Sequence, residues 1–150
     1  MTLTSPAAMF TTERLTLRAA IDADYDKLFK LWNAEAVMRG AGANAYMVPY
    51  GAGQKEELER LVNKSTMFAI IETKEETPLF AGIARMHIAE PKNRDAEFGL
   101  SFMPDCWGKG YGTEVTAFMV NHAFVELGVH RVSLWAFSHN AAALGLYKKM

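Results

Sequence analysis

Three glycines at alternate positions, Gly108, Gly110 and Gly112, separate a strand-like run from a helix-like run in SFMPDCWGKGYGTEV, residues 101–115. Glycine adopts left-handed backbone angles without steric cost and lets a ligand approach the main chain closely. At the start of a helix, such a loop directs unpaired N–H groups and the positive end of the helix dipole toward one point. The segment therefore predicts an anion site suited to a phosphate or pyrophosphate, to which Lys109 would add a positive charge. A tight turn without a ligand is the alternative.

Two familiar phosphate-binding loops do not fit this spacing. The dinucleotide loop requires Gly-x-Gly-x-x-Gly, but Thr113 lies three residues after Gly110, and Val115 three residues after Gly112. The ATP and GTP loop ends in Gly-Lys-Ser or Gly-Lys-Thr, which is absent here. The loop therefore belongs to another kind of anion site.

The runs around the loop predict the elements that hold it. In AEFGLSFM, residues 96–103, alternation places Glu97 and Gly99 on one face of a strand and the apolar residues on the other. TEVTAFMVNHAFVELG, residues 113–128, has helical spacing and ends at Gly128 as a cap. VHRVSLWAF, residues 129–137, predicts a strand, and residues 138–150 a short helix capped by Ser138 or Asn140. This order predicts a crossover between parallel strands.

The first half of the chain predicts a largely antiparallel sheet. ERLTLRA, residues 13–19, alternates as a strand, residues 22–39 have the spacing of one helix, and residues 54–64 that of a short helix. Residues 40–53, rich in glycine and alanine, predict a loop. Residues 66–73, 79–90 and 96–103 predict three neighbouring antiparallel strands with short connections. No linker or repeat divides the chain, so a single mixed α/β domain over residues 1–150 is expected.

Composition and charge restrict the function classes. Of 150 residues, 50% are hydrophobic and 22% are charged, and the net charge of −1 gives no broad basic field for nucleic acid or an anionic membrane. No apolar run reaches the ~18 residues of a membrane span, and the N-terminus lacks the features of a secretory signal. Cys106 is the only cysteine, and the four histidines lack metal-ligand spacing. We therefore expect a cytoplasmic protein without a metal.

WGKGYGTEV with the helix after it, followed by GVHRVSLWAFSHNAAALGLYKKM, resembles the GNAT superfamily of acetyl-CoA-dependent N-acetyltransferases. Within it, the chain looks like the branch of ribosomal-protein N-terminal acetyltransferases and their small-substrate relatives. The resemblance includes TERLTLRAA near the start, AGIARMHI in the middle, and nearly all residues from Asp95 onward. It implies the GNAT fold, a mixed, mostly antiparallel sheet with a splayed pair of parallel strands and flanking helices.

The resemblance implies acetyl-CoA as co-substrate and indicates the residues that bind it. Backbone amides of the glycine loop would hold the pyrophosphate; the usual motif begins with Gln or Arg where this chain has Trp107, which removes a polar side chain but no amide. The strand before the loop would pair with the pantetheine arm, and residues 134–137 would form the strand that splays from it. Asn140 would bond the coenzyme near its pantetheine part, with a helix cap as the alternative. The expected cofactor-binding residues are Leu100, Ser101, Phe102, Met103, Gly108, Lys109, Gly110, Tyr111, Gly112, Thr113 and Asn140.

Two further residues are implied to take part in the chemistry. Tyr147 matches the tyrosine that acts as a general acid toward the departing thiolate. Because tyrosine has a pKa near about 10 and a thiol near about 8.5, full proton transfer is uphill by about 2 kcal/mol, and a hydrogen bond with partial transfer is expected. Glu97 is the candidate general base. Deprotonation by an ordinary glutamate costs about 8 kcal/mol for a lysine-type amine and about 5 kcal/mol for an α-amine, so Glu97 requires a raised pKa, a water relay or an acceptor of low basicity. A core tyrosine and a solvated glutamate are the structural alternatives.

The acceptor side is less defined by the sequence. Tyr46 and Tyr50 lie in the loop that borders the acceptor pocket in relatives. Relatives normally continue after LYKKM with two more strands, so a C-terminally shortened domain is expected, with a second subunit as one means of completing the sheet edge. Protein N-termini, amino acids, polyamines and antibiotics remain open as amine acceptors. The alternative functions are a non-catalytic acyl-CoA-binding domain and a purely structural domain.

Overall fold

A computed structural model describes residues 9–41 and 49–150. Within these residues, six strands and five α-helices alternate with short 3-10 turns. The strands are β1 Phe10–Thr11, β2 Leu15–Arg18, β3 Met67–Thr73, β4 Phe80–His87, β5 Asp95–Phe102 and β6 Arg131–Ser133. The helices are α1 Tyr25–Asn33, α2 Glu35–Ala41, α3 Lys55–Lys64, α4 Tyr111–Val125 and α5 Ala141–Lys148.

The six strands form one sheet in the order β1-β2-β3-β4-β5-β6. All neighbours are antiparallel except β5 and β6, which are parallel and are connected through α4. This confirms the predicted mixed α/β class, the three neighbouring antiparallel strands in the middle of the chain, and the crossover.

Helices cover both faces of the sheet. On one face, Val115 and Met119 of α4 pack against Leu15, Leu17 and other apolar side chains of the strands. On the other face, α1, α2 and α3 contribute Leu28, Leu31, Val37 and Leu58 to a second cluster that includes Ile70 and Ile83. Because side chains alternate along a strand, each central strand supplies both clusters.

The segment predicted as one helix over residues 22–39 is divided in two, so that prediction was wrong in one respect. Ala34 has an extended backbone (ψ 117°) between α1 and α2. The side-chain amide of Asn33 makes two hydrogen bonds with the main chain of Tyr50. It accepts from the Tyr50 N–H at 2.6 Å and donates to the Tyr50 carbonyl at 2.8 Å. The end of α1 is thereby fixed to a segment distant in sequence, which the helical period alone does not reveal.

The strand predicted over residues 129–137 is also shorter than expected, since β6 contains only Arg131–Ser133. The parallel pairing with β5 joins Asp95, Ala96 and Glu97 to these three residues and then ends. Beyond it, residues 134–137 have no strand assignment, and the Trp135 side chain is 57% exposed. Strand β5 and the segment that follows β6 therefore separate directly after Glu97, and an open space follows along the rest of β5.

A buried ion cluster anchors the start of α1 to the sheet. The guanidinium of Arg18 donates to both carboxylate oxygens of Asp24 at 2.8 Å and also pairs with Glu72. Arg18 is 4% exposed and Asp24 fully buried. Burial raises the pKa of Asp24, but the hydrogen bonds from Arg18 and from the Ile21 N–H outweigh it, and the net pKa is lowered.

Candidate active site

The glycine loop before α4 adopts a backbone that ordinary residues avoid. Gly108 has φ +74° and Gly110 has φ +80°, and Gly110 is the residue that caps the N-terminus of α4. These left-handed angles cost a non-glycine residue roughly 1–2 kcal/mol. Loops with left-handed residues of this kind form sites in which successive main-chain N–H groups bind one anion.

The N–H groups of this loop are free to bind a ligand. Within the described part of the chain, the six consecutive N–H groups from Gly108 to Thr113 have no hydrogen-bond acceptor. The first intrahelical bond of α4 runs from the Glu114 N–H to the Gly110 carbonyl, at 3.2 Å. Such a row of donors at the positive end of a 15-residue helix fits an anion with several oxygens, such as a pyrophosphate.

Glycine is required at position 112 for a different structural reason than at positions 108 and 110. It lies in the first turn of α4 with an ordinary φ, but a Cβ there would meet Leu146 Cδ2 at 3.1 Å. The small residue lets α5 pack closely on the start of α4. The alternating spacing of the three glycines thus combines two conformational requirements with one packing requirement.

Arg14 holds the loop from the side of β2, a role that the sequence analysis missed. Its Nη1 donates to the Lys109 carbonyl at 2.6 Å, and its Nε pairs with Glu114 Oε2 at 2.8 Å. The guanidinium also lies 4.8 Å from the centre of the Tyr111 ring. Burial raises the pKa of Glu114, but hydrogen bonds from Thr12 and Arg14 outweigh it and lower the net value. Glu114 is therefore an ionised group whose charge is neutralised beside the loop.

One edge of β5 is open beyond the parallel pairing. The Met103 N–H bonds the Ala81 carbonyl at 2.8 Å, and the antiparallel register continues from this pair along β4. Because backbone groups alternate in direction, those of Ser101 and Met103 point toward β4, whereas those of Leu100 and Phe102 point toward the open side. Of the four residues expected to pair with a pantetheine arm, Leu100 and Phe102 therefore present their main chain to it. The Phe102 carbonyl there accepts from Trp107 Nε1 at 2.9 Å.

Two adjoining cavities follow this open edge. The loop cavity, of about 300 Å³, lies against the glycine loop and is bordered by Cys106, Trp107 and Leu146. The strand cavity, of about 290 Å³, lies beside the other end of β5 and contains Glu97 and Arg85 in its wall. Residues that border both are Gly40, Leu100, Ser101, Asn140, Ala143 and Tyr147.

Tyr147 and Asn140 lie where the two cavities meet. The Tyr147 ring packs edge-on against Phe98, and burial raises the pKa of its phenol. Asn140 caps α5, since its Oδ1 accepts from the Ala143 N–H at 3.1 Å. Its Nδ2 donates to the Gly40 carbonyl at 3.0 Å, which links α5 to α2. The predicted helix cap is therefore present, and one N–H of the Asn140 amide has no acceptor among the described residues.

Glu97 lies at the end of the parallel pairing, in the wall of the strand cavity. Its side chain is 47% exposed, and Oε1 lies 3.7 Å from Nη1 of Arg85. Gly99 follows on the same strand face, as predicted, and a Cβ there would meet Arg85 Cγ at 3.1 Å. The space beside Gly99 is thus occupied by Arg85.

Several other candidate site residues lie away from the two cavities or in surroundings that do not favour reactivity. Lys109 and Met103 are not among the residues that border either cavity, and Met103 packs in the cluster beneath α1. Tyr50 borders the strand cavity, whereas Tyr46 lies outside the described residues. Burial raises the pKa of the Cys106 thiol, which disfavours the reactive thiolate.

Comparison with known proteins defines the family of this fold and site. A family model described as an acetyltransferase (GNAT) domain matches residues 14–150. The chain belongs to the GNAT acetyltransferase family. This membership confirms the predicted enzyme class, an N-acetyltransferase of the GNAT type, and the predicted GNAT fold.

Individual acetyltransferases are similar to the chain over most of its length. It is 27% identical over 149 residues to the uncharacterised N-acetyltransferase YoaA of Bacillus subtilis (strain 168), a match covering 93% of this chain and 79% of that protein. The crystal structure of spermidine N-acetyltransferase from Vibrio cholerae, in complex with CoA and spermine, is 25% identical with a TM-score of 0.74, covering 90% and 78% of the two chains. An acetyltransferase of the GNAT family from Bacillus anthracis, 20% identical, has the same fold with a TM-score of 0.74 over 93% of this chain and 80% of its own.

Neither a metal cluster nor a membrane span is found among residues 9–41 and 49–150 of this GNAT acetyltransferase. These residues contain no group of three or more His, Cys, Asp or Glu side chains that could hold a metal ion. None of the helices they form is long and apolar enough to cross a membrane.

Proposed function

We propose that this GNAT enzyme transfers the acetyl group of acetyl-CoA to a primary amine, by direct attack of the amine within a ternary complex. The observation that carries the proposal is the row of six free N–H groups from Gly108 to Thr113, beside a cavity that adjoins a second one containing Glu97. On this proposal, residues 1–150 act as one acetyltransferase domain. The acceptor is a protein N-terminus, as in the ribosomal-protein branch, or a small-molecule amine.

The residues beside the loop cavity fit the coenzyme. The loop N–H groups match the oxygens of a pyrophosphate, and the main-chain groups of Leu100 with the N–H of Phe102 match the amides of a pantetheine arm. The remaining N–H of Asn140 lies farther along the same path, where the two cavities meet. When bound, acetyl-CoA supplies the thioester carbonyl that the amine attacks.

Residues beside the strand cavity accept the proton of the amine, polarise the carbonyl and stabilise the leaving sulfur. Glu97 accepts the proton that the attacking amine must lose, and its half-exposed carboxylate can pass that proton to water. The N–H of Leu100, on the open edge of β5, polarises the carbonyl. Tyr147 donates a hydrogen bond to the sulfur; its raised pKa keeps the phenol neutral and makes complete transfer of its proton still less favourable.

A second subunit at the outer edge of β6 is part of the proposal. The three-residue strand β6 is the last of the sheet, so its outer main-chain groups have no strand partner among the described residues. Such an edge can pair with another chain. Light scattering after size exclusion should show a dimer; a monomer at assay concentrations would refute this part.

Thiol release from acetyl-CoA, measured with a panel of amines, tests the proposed function. We expect turnover with at least one amine, a loss of about tenfold or more in kcat for Tyr147→Phe, and a larger loss in kcat/KM for Glu97→Gln. Gly53→Ala, at an exposed position where a Cβ meets nothing within 4 Å, is the matched control. Coenzyme binding without turnover for any amine would instead indicate an acyl-CoA-binding domain.

A further inference from the structure

Two charged residues, Arg85 and Glu97, stand among the residues that border the strand cavity in the described part of the chain. The rest of that wall is mainly apolar and aromatic, and includes Trp32, Tyr50 and Trp135. Residues 42–48, whose sequence is GANAYMV, lie outside the described residues and contain no Asp or Glu. Among the described residues, the acceptor therefore meets one positive and one negative side chain, and the other residues of the wall are mainly apolar or aromatic.

Arg85 is held so that the end of its side chain faces this cavity. It is opposite Gly99 in the β4–β5 register, and its Cγ lies over the glycine, at 3.1 Å from the position that a Cβ would take. Nε donates to Ser65 Oγ at 3.3 Å, which fixes the guanidinium from one side. Nη1 lies 3.7 Å from Glu97 Oε1, too far for a hydrogen bond. Among the described residues, its two terminal nitrogens have no hydrogen-bond acceptor, although the side chain is only 23% exposed.

We propose that Arg85 binds a carboxylate of the acceptor, and that the acceptor is a free α-amino acid. This rests on the proposed function, since it names the substrate class of the same site. An α-amino acid has its amine and its carboxylate attached to the same carbon, and Glu97 and Arg85 likewise lie side by side. The amine then approaches Glu97 while the carboxylate accepts from the fork of the guanidinium, a geometry for which arginine is well suited.

Two other classes of amine fit this pair of charges less well. A peptide N-terminus has an amide where the free amino acid has its carboxylate, so the guanidinium of Arg85 would gain no anionic partner beyond Glu97. A polyamine brings a second cation into a pocket that has one carboxylate and one guanidinium, and the two like charges would repel. The spermidine enzyme of Vibrio cholerae has the same fold, but the fold does not specify the acceptor.

The aromatic part of the wall indicates the side chain of the amino acid. The ring centres of Trp32 and Tyr50 lie 6.3 Å apart, and Trp135, in the segment 134–137 that follows β6, also borders the cavity. Such a wall favours an apolar or aromatic side chain over a charged one, because a charged group would lose its hydration without a partner. Phenylalanine is therefore a suitable test acceptor.

Matched pairs of ligands test this proposal without relying on a variant. Quenching of tryptophan fluorescence, from Trp32 and Trp135 in the wall, should report binding of the acetylated products. We expect N-acetylphenylalanine to bind about 10- to 100-fold more tightly than N-acetylphenylalaninamide, the range for a hydrogen bond to a charged group. Thiol release should likewise be faster with phenylalanine than with phenylalaninamide, although the amide has the less basic and therefore more readily deprotonated amine.

Variants of Arg85 connect the preference to this side chain. Arg85→Gln should abolish the preference for the carboxylate, and Arg85→Lys should retain part of it, since lysine keeps the charge but not the planar fork. Arg60→Gln, which removes a charge from the exposed side of α3 outside both cavities, should leave it unchanged. If Arg85→Gln does not fold, the ligand pairs with the natural chain still decide the question.

The outcomes separate the substrate class from the proposed function. Equal binding of acid and amide, or faster turnover of peptides or spermidine than of phenylalanine, would overturn the inference and leave the acetyltransferase function intact. Binding of N-acetylphenylalanine through Arg85 without thiol release for any amine would support the inference about the site and overturn the proposed activity.

Discussion

Replacing Arg14 by methionine tests whether the glycine loop must be held in place to bind acetyl-CoA. Methionine keeps much of the length and apolar stem of arginine, but it removes the donor to the Lys109 carbonyl and the partner of the Glu114 carboxylate. The loop would then be free to turn its N–H groups away. Glu114 would keep its hydrogen bonds from the Thr12 hydroxyl and the main-chain N–H of residue 14, but its charge would lose the guanidinium beside it. This charge lies in the first turn of α4, next to the expected pyrophosphate, and would repel it.

The magnitude follows from the two lost contacts. The hydrogen bond from a charged donor to the Lys109 carbonyl is worth about 1.5 kcal/mol. The Arg14 side chain is 44% exposed, so the ion pair contributes no more than about 0.5–1 kcal/mol. If both act through the loop, coenzyme affinity should fall by about 2 kcal/mol, or roughly 30-fold.

Calorimetric titration with CoA measures this loss, and urea unfolding of the same samples measures stability. Glu114→Gln in the Arg14→Met background should restore part of the affinity, because it removes the uncompensated anion. Arg60→Met is the control for loss of a positive charge elsewhere. If Arg14→Met binds CoA as tightly as the natural chain does, the loop needs no support from β2 and the reasoning is refuted.

Three further predictions concern stability. Asp24→Asn leaves Arg18 buried without its bidentate partner and should cost about 3–5 kcal/mol in urea unfolding. Because the folded pKa of Asp24 is lowered, its contribution is present above the ordinary value near about 3.9 and is lost as the pH falls below it; equal stability at pH 7 and pH 3 would argue against this. Gly82→Ala would place a Cβ 2.1 Å from the Ser101 carbonyl oxygen, so it should destabilise the protein by on the order of 3 kcal/mol, and a neutral result would mean that β4 and β5 are not so close. Gly145→Ala, in α5 with no atom within 4 Å of the new Cβ, should raise the unfolding free energy by about 0.5–1 kcal/mol, and a loss would contradict the open environment.

Features that depend on local pattern could be predicted from the sequence. The alternation in residues 96–103 placed Ala96 and Phe98 on the face that packs against α4, and Glu97 on the other. The Asn140 cap follows from the preference of a single residue and is present. The predicted cap at Gly128 was wrong by position: α4 ends at Val125 with Glu126 as its C-cap, although Gly128 has the left-handed φ (+64°) of a glycine that follows a helix. Glycine tolerates left-handed backbone angles, so closely spaced glycines before a helix predict the positive φ angles found at Gly108 and Gly110.

Features that depend on which strands are neighbours could not be predicted in this way. Arg14 contacts the loop across 95 residues of sequence. Arg85 reaches Glu97 only because β4 and β5 pair in a particular register, and alternation alone does not give that register. The early end of β6 has the same origin, since its length is set by where β5 diverges and not by the β-propensity of Leu134 and Trp135.

The most direct test of the central claim is a calorimetric titration that separates the pyrophosphate from the rest of the coenzyme. Acetyl-CoA and pantetheine, which lacks the pyrophosphate, are titrated into the natural chain, Gly110→Ala and the control Gly53→Ala. An alanine at φ +80°, with its Cβ 3.2 Å from Arg14 Nη2, should disturb the row of N–H groups, so Gly110→Ala should lose at least about tenfold in acetyl-CoA affinity. Its affinity for pantetheine, and both affinities of Gly53→Ala, should be unchanged. Equal acetyl-CoA binding by Gly110→Ala and the natural chain would show that the glycine loop does not bind the pyrophosphate.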